Sequence, residues 1–537
     1  MLRIVHCLFI FIFSLSHLRA QINLESSSLP IVMIHTLGDT IVDDPRILAH
    51  MGIIHKQDGS QNHISDPFNV YDGQISIEIR GSSSQFFPKK SYGLETQLED
   101  GSNNNVSLLG MPEENDWILH GPYSDKSLMR NRLAFELGAK LSVYAPRTRY
   151  CELLINGDYQ GIYLLMEKIK RDDNRVDISR LDLGDFDSES ITGGYIIKLD
   201  KHTGSGGGSG WRTPNGSFIQ YDYPAASRIN LAQKTYIQNY VEDFEQALFG
   251  YNFQDVEEGY RAHIDPLSFA DFILINELTK NVDGYRLSTF FHKERNEKLK
   301  AGPIWDFNLG FGNANYCAGD SPHEWALNFN RHCPEDYWTI NSWWDRLLSD
   351  PFFGELVIHR WRSLRQGLWH TDSIDALIDR QLVILDDTHI RNFHQWPVLG
   401  EWVWPNVVVL GSHTAEVDYL RTWIHDRLAW MDNNIEFIGF GVRGPFSLAR
   451  TFIAPNPFSE SLDLNVSSEF VGTVGFHVFD LMGRPLHSIF FDSEPGYEVR
   501  HIWDGKNSKG NPIPAGLYLF QFRINGDIVD EGKLVRQ

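Results

Sequence analysis

The stretch Asn281-Val282-Asp283-Gly284-Tyr285-Arg286 leads into an apolar run from Leu287 to His292 and the polar turn Glu294-Arg295-Asn296-Glu297. A second apolar run then reaches Trp305-Asp306-Phe307-Asn308-Leu309-Gly310-Phe311-Gly312. Two β-type runs around a polar turn predict a hairpin. Asp283 then stands just before the first strand and Asp306 at the end of the second, so both carboxylates fall near the same end. Phosphoryl transfer uses such a pair: one acid orients an attacking hydroxyl and the other holds a divalent metal that bridges nucleotide phosphates. Alone, Asp-Phe-x-x-Gly is more cheaply read as turn capping, so the surrounding residues carry the decision.

Those residues are, in chain order, Arg80-Gly81-Ser82-Ser83-Ser84-Gln85-Phe86-Phe87-Pro88-Lys89-Lys90-Ser91-Tyr92, then Leu128-Met129-Arg130-Asn131, then Ile155-Asn156-Gly157-Asp158-Tyr159-Gln160-Gly161 with Ile162 to Ile169, and Trp305-Asp306-Phe307-Asn308. Together they resemble the spore-coat protein H (CotH) kinase family. The resemblance runs from about Leu29 to Phe437 and includes Trp343-Trp344-Asp345-Arg346-Leu347, Arg391-Asn392-Phe393 and Trp404-Pro405-Asn406. It implies an atypical, minimal protein-kinase-like fold of two lobes that phosphorylates protein substrates with ATP and Mg2+ or Mn2+. The expected class is thus α+β.

Within that frame Asp283 is the candidate base or hydroxyl-positioning group, and Asp306 the candidate metal ligand. Asn308, whose amide oxygen is a hard donor, is a second ligand. No His-Arg-Asp precedes Asp283, and Ser288 rather than Asn stands five residues after it. Lys89 and Lys90 open a β-type run, and a strand lysine can reach nucleotide phosphates. Adjacent strand residues face opposite ways. Lys90, which alternates with Tyr92 and Leu94, is favoured over Lys89. Ser83 lies in a small polar loop suited to covering a nucleotide. Arg130 opens a helix-compatible stretch, Leu133 to Leu141, and can pair with phosphate or with a carboxylate. Glu167 ends the strand Gly161 to Met166, lining a cleft or forming a structural ion pair. The glycine-rich run Gly204 to Gly210 opens no helix and reads as a surface loop.

Met1-Leu2-Arg3, the apolar Ile4 to Leu15 and Leu18-Arg19-Ala20 read as a secretory signal over residues 1–20. No later segment has the apolar length of a transmembrane helix. Beyond Cys7 there remain Cys151, Cys317 and Cys333. Export permits a disulfide, and Cys317 with Cys333 is the favoured pair. Cys151 reads as a buried apolar residue, and no spacing supports structural zinc. A formal charge of -22 makes nucleic acid and anionic lipid poor partners and a basic partner easier to accept. The chain is expected to act as a monomer.

Helical periodicity over Ala415 to Met431 gives way near Asn433 to Leu448 to Gly/Pro-rich sequence and then to short β-type runs, including Leu462 to Val466, Gly475 to Phe479, Leu486 to Phe491 and Gly516 to Ile524. The expected organisation is a signal over 1–20, a kinase-like domain over 21–440 and an immunoglobulin-like β-sandwich over 450–537. Ala454-Pro455-Asn456-Pro457-Phe458, Asp480-Leu481-Met482-Gly483-Arg484, Trp503-Asp504-Gly505, Gly516-Leu517-Tyr518 and Gly532-Lys533-Leu534-Val535 resemble the type A sorting domain of the type IX secretion system of Bacteroidota. That implies passage through the periplasm and outer membrane to the cell surface or medium. An ordinary sandwich that binds carbohydrate or protein is the alternative for this tail. For the whole chain the alternative is a non-catalytic surface adhesion or coat protein.

Overall fold

The computed structural model describes residues 22–202, 208–438, 449–468, 472–493, 497–524 and 527–537. The expected signal, residues 203–207 of the glycine-rich run and most of the expected boundary lie outside the described residues. Two compact units divide the chain: one takes residues up to Tyr123, Thr148–Met166 and Leu382–Leu399, and the other Ser124–Arg147, Glu167–Gln381 and the chain from Gly400 on.

The first unit is a closed seven-stranded barrel. Its strands are β1 (Ile31–His35), β2 (Ile47–Ile54), β3 (Tyr71–Arg80), β4 (Ser91–Gln97), β5 (Asp116–His120), β6 (Thr148–Ile155) and β7 (Asp158–Glu167). Order around the barrel is β1-β2-β3-β4-β5-β7-β6, closed by the parallel pairing of β1 with β6 (Ile31 with Glu152). Alternate residues point inward, so Ile75 and Ile77, Tyr92 and Leu94, Trp117 and Leu119, and Cys151 and Leu153 share one buried core. β4 begins at Ser91, so both lysines precede the strand they were expected to open. Gly161 (φ +92) is required: a Cβ there would lie 2.6 Å from Asn392 Oδ1.

The second unit carries a five-stranded antiparallel sheet. It contains β8 (Tyr195–Leu199), β9 (Gly210–Arg212), β10 (Phe218–Tyr223), β11 (Thr289–Lys293) and β12 (Leu299–Ala301), in the order β9-β10-β8-β11-β12. β11 and β12 are the expected hairpin, with Phe291 opposite Ala301 and Lys293 opposite Leu299. The first strand starts two residues later than read, because Leu287 and Ser288 (φ +48) still belong to the turn. Its longer helices are α1 (Arg130–Gly138), α2 (Leu231–Phe249), α3 (Pro266–Thr279), α4 (Pro351–Arg365) and α5 (His413–Asn434), and an interrupted helix, Thr371–Gln395, broken at Asp386, begins in this unit. α3 has Asp265 as N-cap and Pro266 in its first turn, and it is buried on every side. Phe269, Phe272, Trp343, Trp344, Tyr285 and Phe291 pack around it with ring centroids 5.0–6.2 Å apart. The tryptophan pair is thus core packing.

In the tail, Ala449–Ala454, Leu462–Ser468 and Tyr497–Trp503 form one antiparallel sheet. Pro485–Ser493, Gly472–Phe479, Gly516–Ile524 and Asp527–Arg536 form another. Leu462, Leu464 and Val466 of the first share a core with Val474, Phe476, Val478 and Phe522 of the second. No helix among the described residues is long and apolar enough to cross a membrane.

Candidate active site

α3 ends at Lys280 in the left-handed conformation (φ 43), releasing the chain into the turn that carries Asp283. A buried lock holds that end of the helix. Arg427 of α5 donates to the Glu277 carbonyl (2.7 and 2.9 Å) and to its carboxylate (3.1 Å), which also accepts from the backbone of Ala326 (2.6 Å) and from Tyr285 (3.0 Å). Burial pushes the Glu277 carboxyl up and the Arg427 guanidinium down to about 10. The opposite charge partly offsets burial in each.

Asp283 is pinned by the residue three positions on: Arg286 Nη2 donates to its Oδ1 at 2.8 Å. The second acid, Asp306, has a left-handed backbone (φ 62). Its carbonyl accepts from Asn281 Nδ2 (3.2 Å), and the next amide, Phe307 N, donates to Asn131 Oδ1 (2.7 Å). The Leu-Met-Arg-Asn motif therefore holds the Trp-Asp-Phe-Asn motif through Asn131. Burial pushes the Tyr316 hydroxyl far up, and the charges of Asp283, Asp336 and Asp306 act in the same direction against Arg286. The half-buried Tyr316 thus lies within the electrostatic reach of both candidate acids. Asn308 is half-buried, and its carbonyl accepts from Asn313 (2.8 Å).

The other expected site residues have different surroundings. Arg130 does not face open space: it is buried against Asp125 (2.6 Å), the carboxylate alternative of the two read from sequence. Glu167, also buried, accepts from Arg147 Nε (2.9 Å), Nη2 (2.7 Å) and N (2.8 Å) and from Tyr144 (2.7 Å), so structural pairing replaces a nucleotide contact. Lys89, Lys90 and Ser83 belong to the first unit. Lys89 Nζ is buried, donating to the Ile162 carbonyl (2.7 Å) and Asn392 Oδ1 (2.8 Å), and burial pushes its ammonium well below the usual range. Its donors are committed inside the fold, which corrects its assignment as a phosphate ligand. Lys90 Nζ donates to the Gln85 carbonyl (2.6 Å) of the helical turn Ser83–Phe86 that includes Ser83.

Asp200, Arg286, Asp336 and Tyr316 were missed from sequence. Asp200 follows β8, where a strand end gave a usable signal. Burial pushes its carboxyl up, with Asp283 adding to the shift. Arg286 stood three residues from Asp283 and was also legible, but nothing local marks Asp336 or Tyr316. A cavity of ≈ 320 Å³ lined by Asp200, His202, Arg212, Phe218, Arg286 and Trp338 opens beside this cluster.

The donor set suits a nucleotide-bridged Mg2+ or Mn2+. Such an ion prefers hard oxygen donors, and Asp306 with Asn308 would offer it one carboxylate and one amide oxygen. Among the described residues no group of three or more His, Cys, Asp and Glu forms a cage.

Residues 77–431 match the model of the family described as CotH kinase protein. The chain belongs to the CotH kinase family. The inner spore coat protein H of Bacillus subtilis (strain 168) is 30% identical over 95 residues, which is 18% of this chain and 24% of that protein. The matched segment thus spans about a quarter of that relative. Solved structures with local similarity include latent PorU from Porphyromonas gingivalis (21% identity, 16% of this chain and 9% of that one, TM-score 0.16). Another is FlgD from Xanthomonas campestris (22% identity, 16% and 61%, TM-score 0.12). Both scores are too low to bear on the fold.

Proposed function

We propose that this CotH-family chain is an exported protein kinase that transfers the γ-phosphate of ATP to protein hydroxyls. Family membership supports the reaction class, and the observation that carries the reading is the paired setting of Asp283 and Asp306. Arg286 fixes one acid, Asn281 and Asn131 fix the backbone of the other, and Tyr316 lies in the field of both. In this reading Asp283 orients the accepting hydroxyl and takes up its proton as the phosphoryl group arrives. Asp306 and Asn308 hold the divalent metal, which when bound neutralises charge on the nucleotide phosphates. Within the first unit, Lys90 and Ser83 stay candidates for nucleotide contact on the strength of the family resemblance alone. The barrel unit and the helix-rich unit correspond to the two lobes that the family resemblance implies, and the tail to an immunoglobulin-like type IX sorting domain. That tail would deliver a monomer to the cell surface or medium.

The printed description of the Bacillus relative as a spore coat protein favours a second reading, a coat or adhesion protein without turnover. Incubation of the purified chain with radiolabelled ATP, Mg2+ or Mn2+ and a basic test protein separates the two. Label in a phosphoserine or phosphothreonine, lost in Asp306→Asn, supports the kinase. A wild-type chain that binds nucleotide without transferring label supports the coat protein.

A further inference from the structure

Arg286 does more than pin Asp283. Its side chain is 3% exposed and four acceptors surround it. Nε donates to the Val282 carbonyl (2.8 Å), Nη2 to Asp283 Oδ1 (2.8 Å), and Nη1 to both Asp336 Oδ1 (3.3 Å) and the Trp338 carbonyl (3.0 Å). The Phe329 ring centroid lies 3.9 Å from Cζ. One planar cation therefore joins the candidate base to the loop at 336–338, a geometry that a lysine's single ammonium cannot reproduce.

That loop is tied to a disulfide. Trp338 N donates to Asp336 Oδ1 (2.8 Å), and Asp336 N to the carbonyl of Cys333 (3.1 Å). Cys333 is bonded to Cys317, across 16 positions of sequence. On the other side of the bond, Cys317 follows Tyr316, whose hydroxyl lies in the electrostatic field of Asp283, Asp336 and Asp306. Cys317 and Ala318 have φ of 51° and 56°, left-handed values that neither side chain favours and that the surrounding structure must impose. Both cysteines are half-buried, within reach of a small thiol.

We infer that Arg286 is the positioning residue of the phosphotransfer site and that the Cys317–Cys333 disulfide sets its grip on Asp283, so that turnover depends on the oxidation state of the chain. This rests on the kinase reading for its catalytic consequence and on the hydrogen bonds alone for its structural one. A dithiol supplies the chemistry: it delivers two electrons and two protons, the S–S bond opens to two thiols, and the dithiol closes to its own cyclic disulfide. The loop then loses its covalent anchor, Asp336 and the Trp338 carbonyl move off Nη1, and Arg286 no longer fixes Asp283. Before reduction the chain is active as exported; after it, the acids remain but are not aligned.

The test uses the full chain, oxidised or treated with dithiothreitol, with a Cys317→Ser/Cys333→Ser variant, Arg286→Gln and Arg286→Lys. Amide hydrogen exchange followed by mass spectrometry reads the clamp without needing activity. ATP turnover and nucleotide affinity are measured beside it. Expected are at least tenfold faster exchange over residues 281–288 and 334–338 on reduction, with the serine variant matching the reduced chain. A tenfold or greater fall in kcat should accompany it, with little change in nucleotide affinity. Arg286→Gln should lose more than Arg286→Lys, which keeps the charge and part of the contact. Cys151→Ala should keep the redox response. Exchange unchanged by reduction overturns the clamp whether or not the chain turns over. Absent turnover in the oxidised wild type, with the exchange response intact, overturns the kinase reading and leaves the clamp standing.

Discussion

Lys89 and Lys90 differ by one position and by almost everything that matters to a charge. Both precede β4, so strand alternation does not assign their faces. The burial of Lys89 was not legible in the sequence, because its acceptor Asn392 lies 303 residues away. Asn392 Oδ1 also accepts from Ile162 N (3.1 Å), so Asn392→Ala strands two buried donors at once. A loss of roughly 1–3 kcal/mol per unsatisfied buried group is expected, read from the denaturant midpoint, and a neutral result would show that water replaces the amide. Two other lysines set a pH dependence: burial lowers Lys280 and Lys293 to about 8, against 10.5 for the free side chain. Below pH 8 they are charged whether the chain is folded or not. Between about 8 and 10 the unfolded chain keeps the protons that the folded one releases, so stability contributed by these groups rises with pH. Denaturant midpoints at pH 8 and 9.5 should show the rise, and Lys280→Met should reduce it. An unchanged slope would remove Lys280 from the cause.

At the scale of elements, the hairpin β11–β12, the strand β8 and the helix α5 were legible because hydrophobic period and turn residues agreed locally. Closure of β1 to β7 as a barrel was not, since the parallel pairing of β1 with β6 joins segments more than a hundred residues apart. The Arg391-Asn392 motif likewise had no visible purpose until β6 and β7 supplied its partners: Arg391 pairs with buried Glu152 at 2.8 Å. Glu167, the last residue of β7, binds Tyr144 and Arg147, all three within the second unit. Glu167→Ala would leave one guanidinium and one phenol without their shared acceptor. Arg147 is 40% exposed, so water takes up part of the loss and the cost falls to roughly 1–3 kcal/mol. Thermal unfolding should therefore show a drop in midpoint with nucleotide affinity retained in the remaining folded fraction. A stable Glu167→Ala chain that has lost nucleotide binding would instead restore the ligand role read from sequence.

For the whole molecule, the change from helix to β-structure after residue 438 was plain in the sequence, and the tail's two sheets keep a core of their own around Phe476, Phe522 and Trp503. A chain ending at Ile438 should fold, keep its turnover and, in a host with type IX secretion, stop in the periplasm. Its appearance at the surface in normal amounts would refute the sorting role. The claim on which the function stands is the division of labour between two acids, and it is tested most directly by measuring ATP turnover and nucleotide affinity together in the intact chain, Asp306→Asn and Asp283→Asn. Asp306→Asn should abolish metal-dependent turnover and weaken metal-nucleotide binding, while Asp283→Asn should lower kcat with affinity nearly unchanged. Undiminished turnover in Asp306→Asn, or equal loss of affinity in both variants, would contradict it.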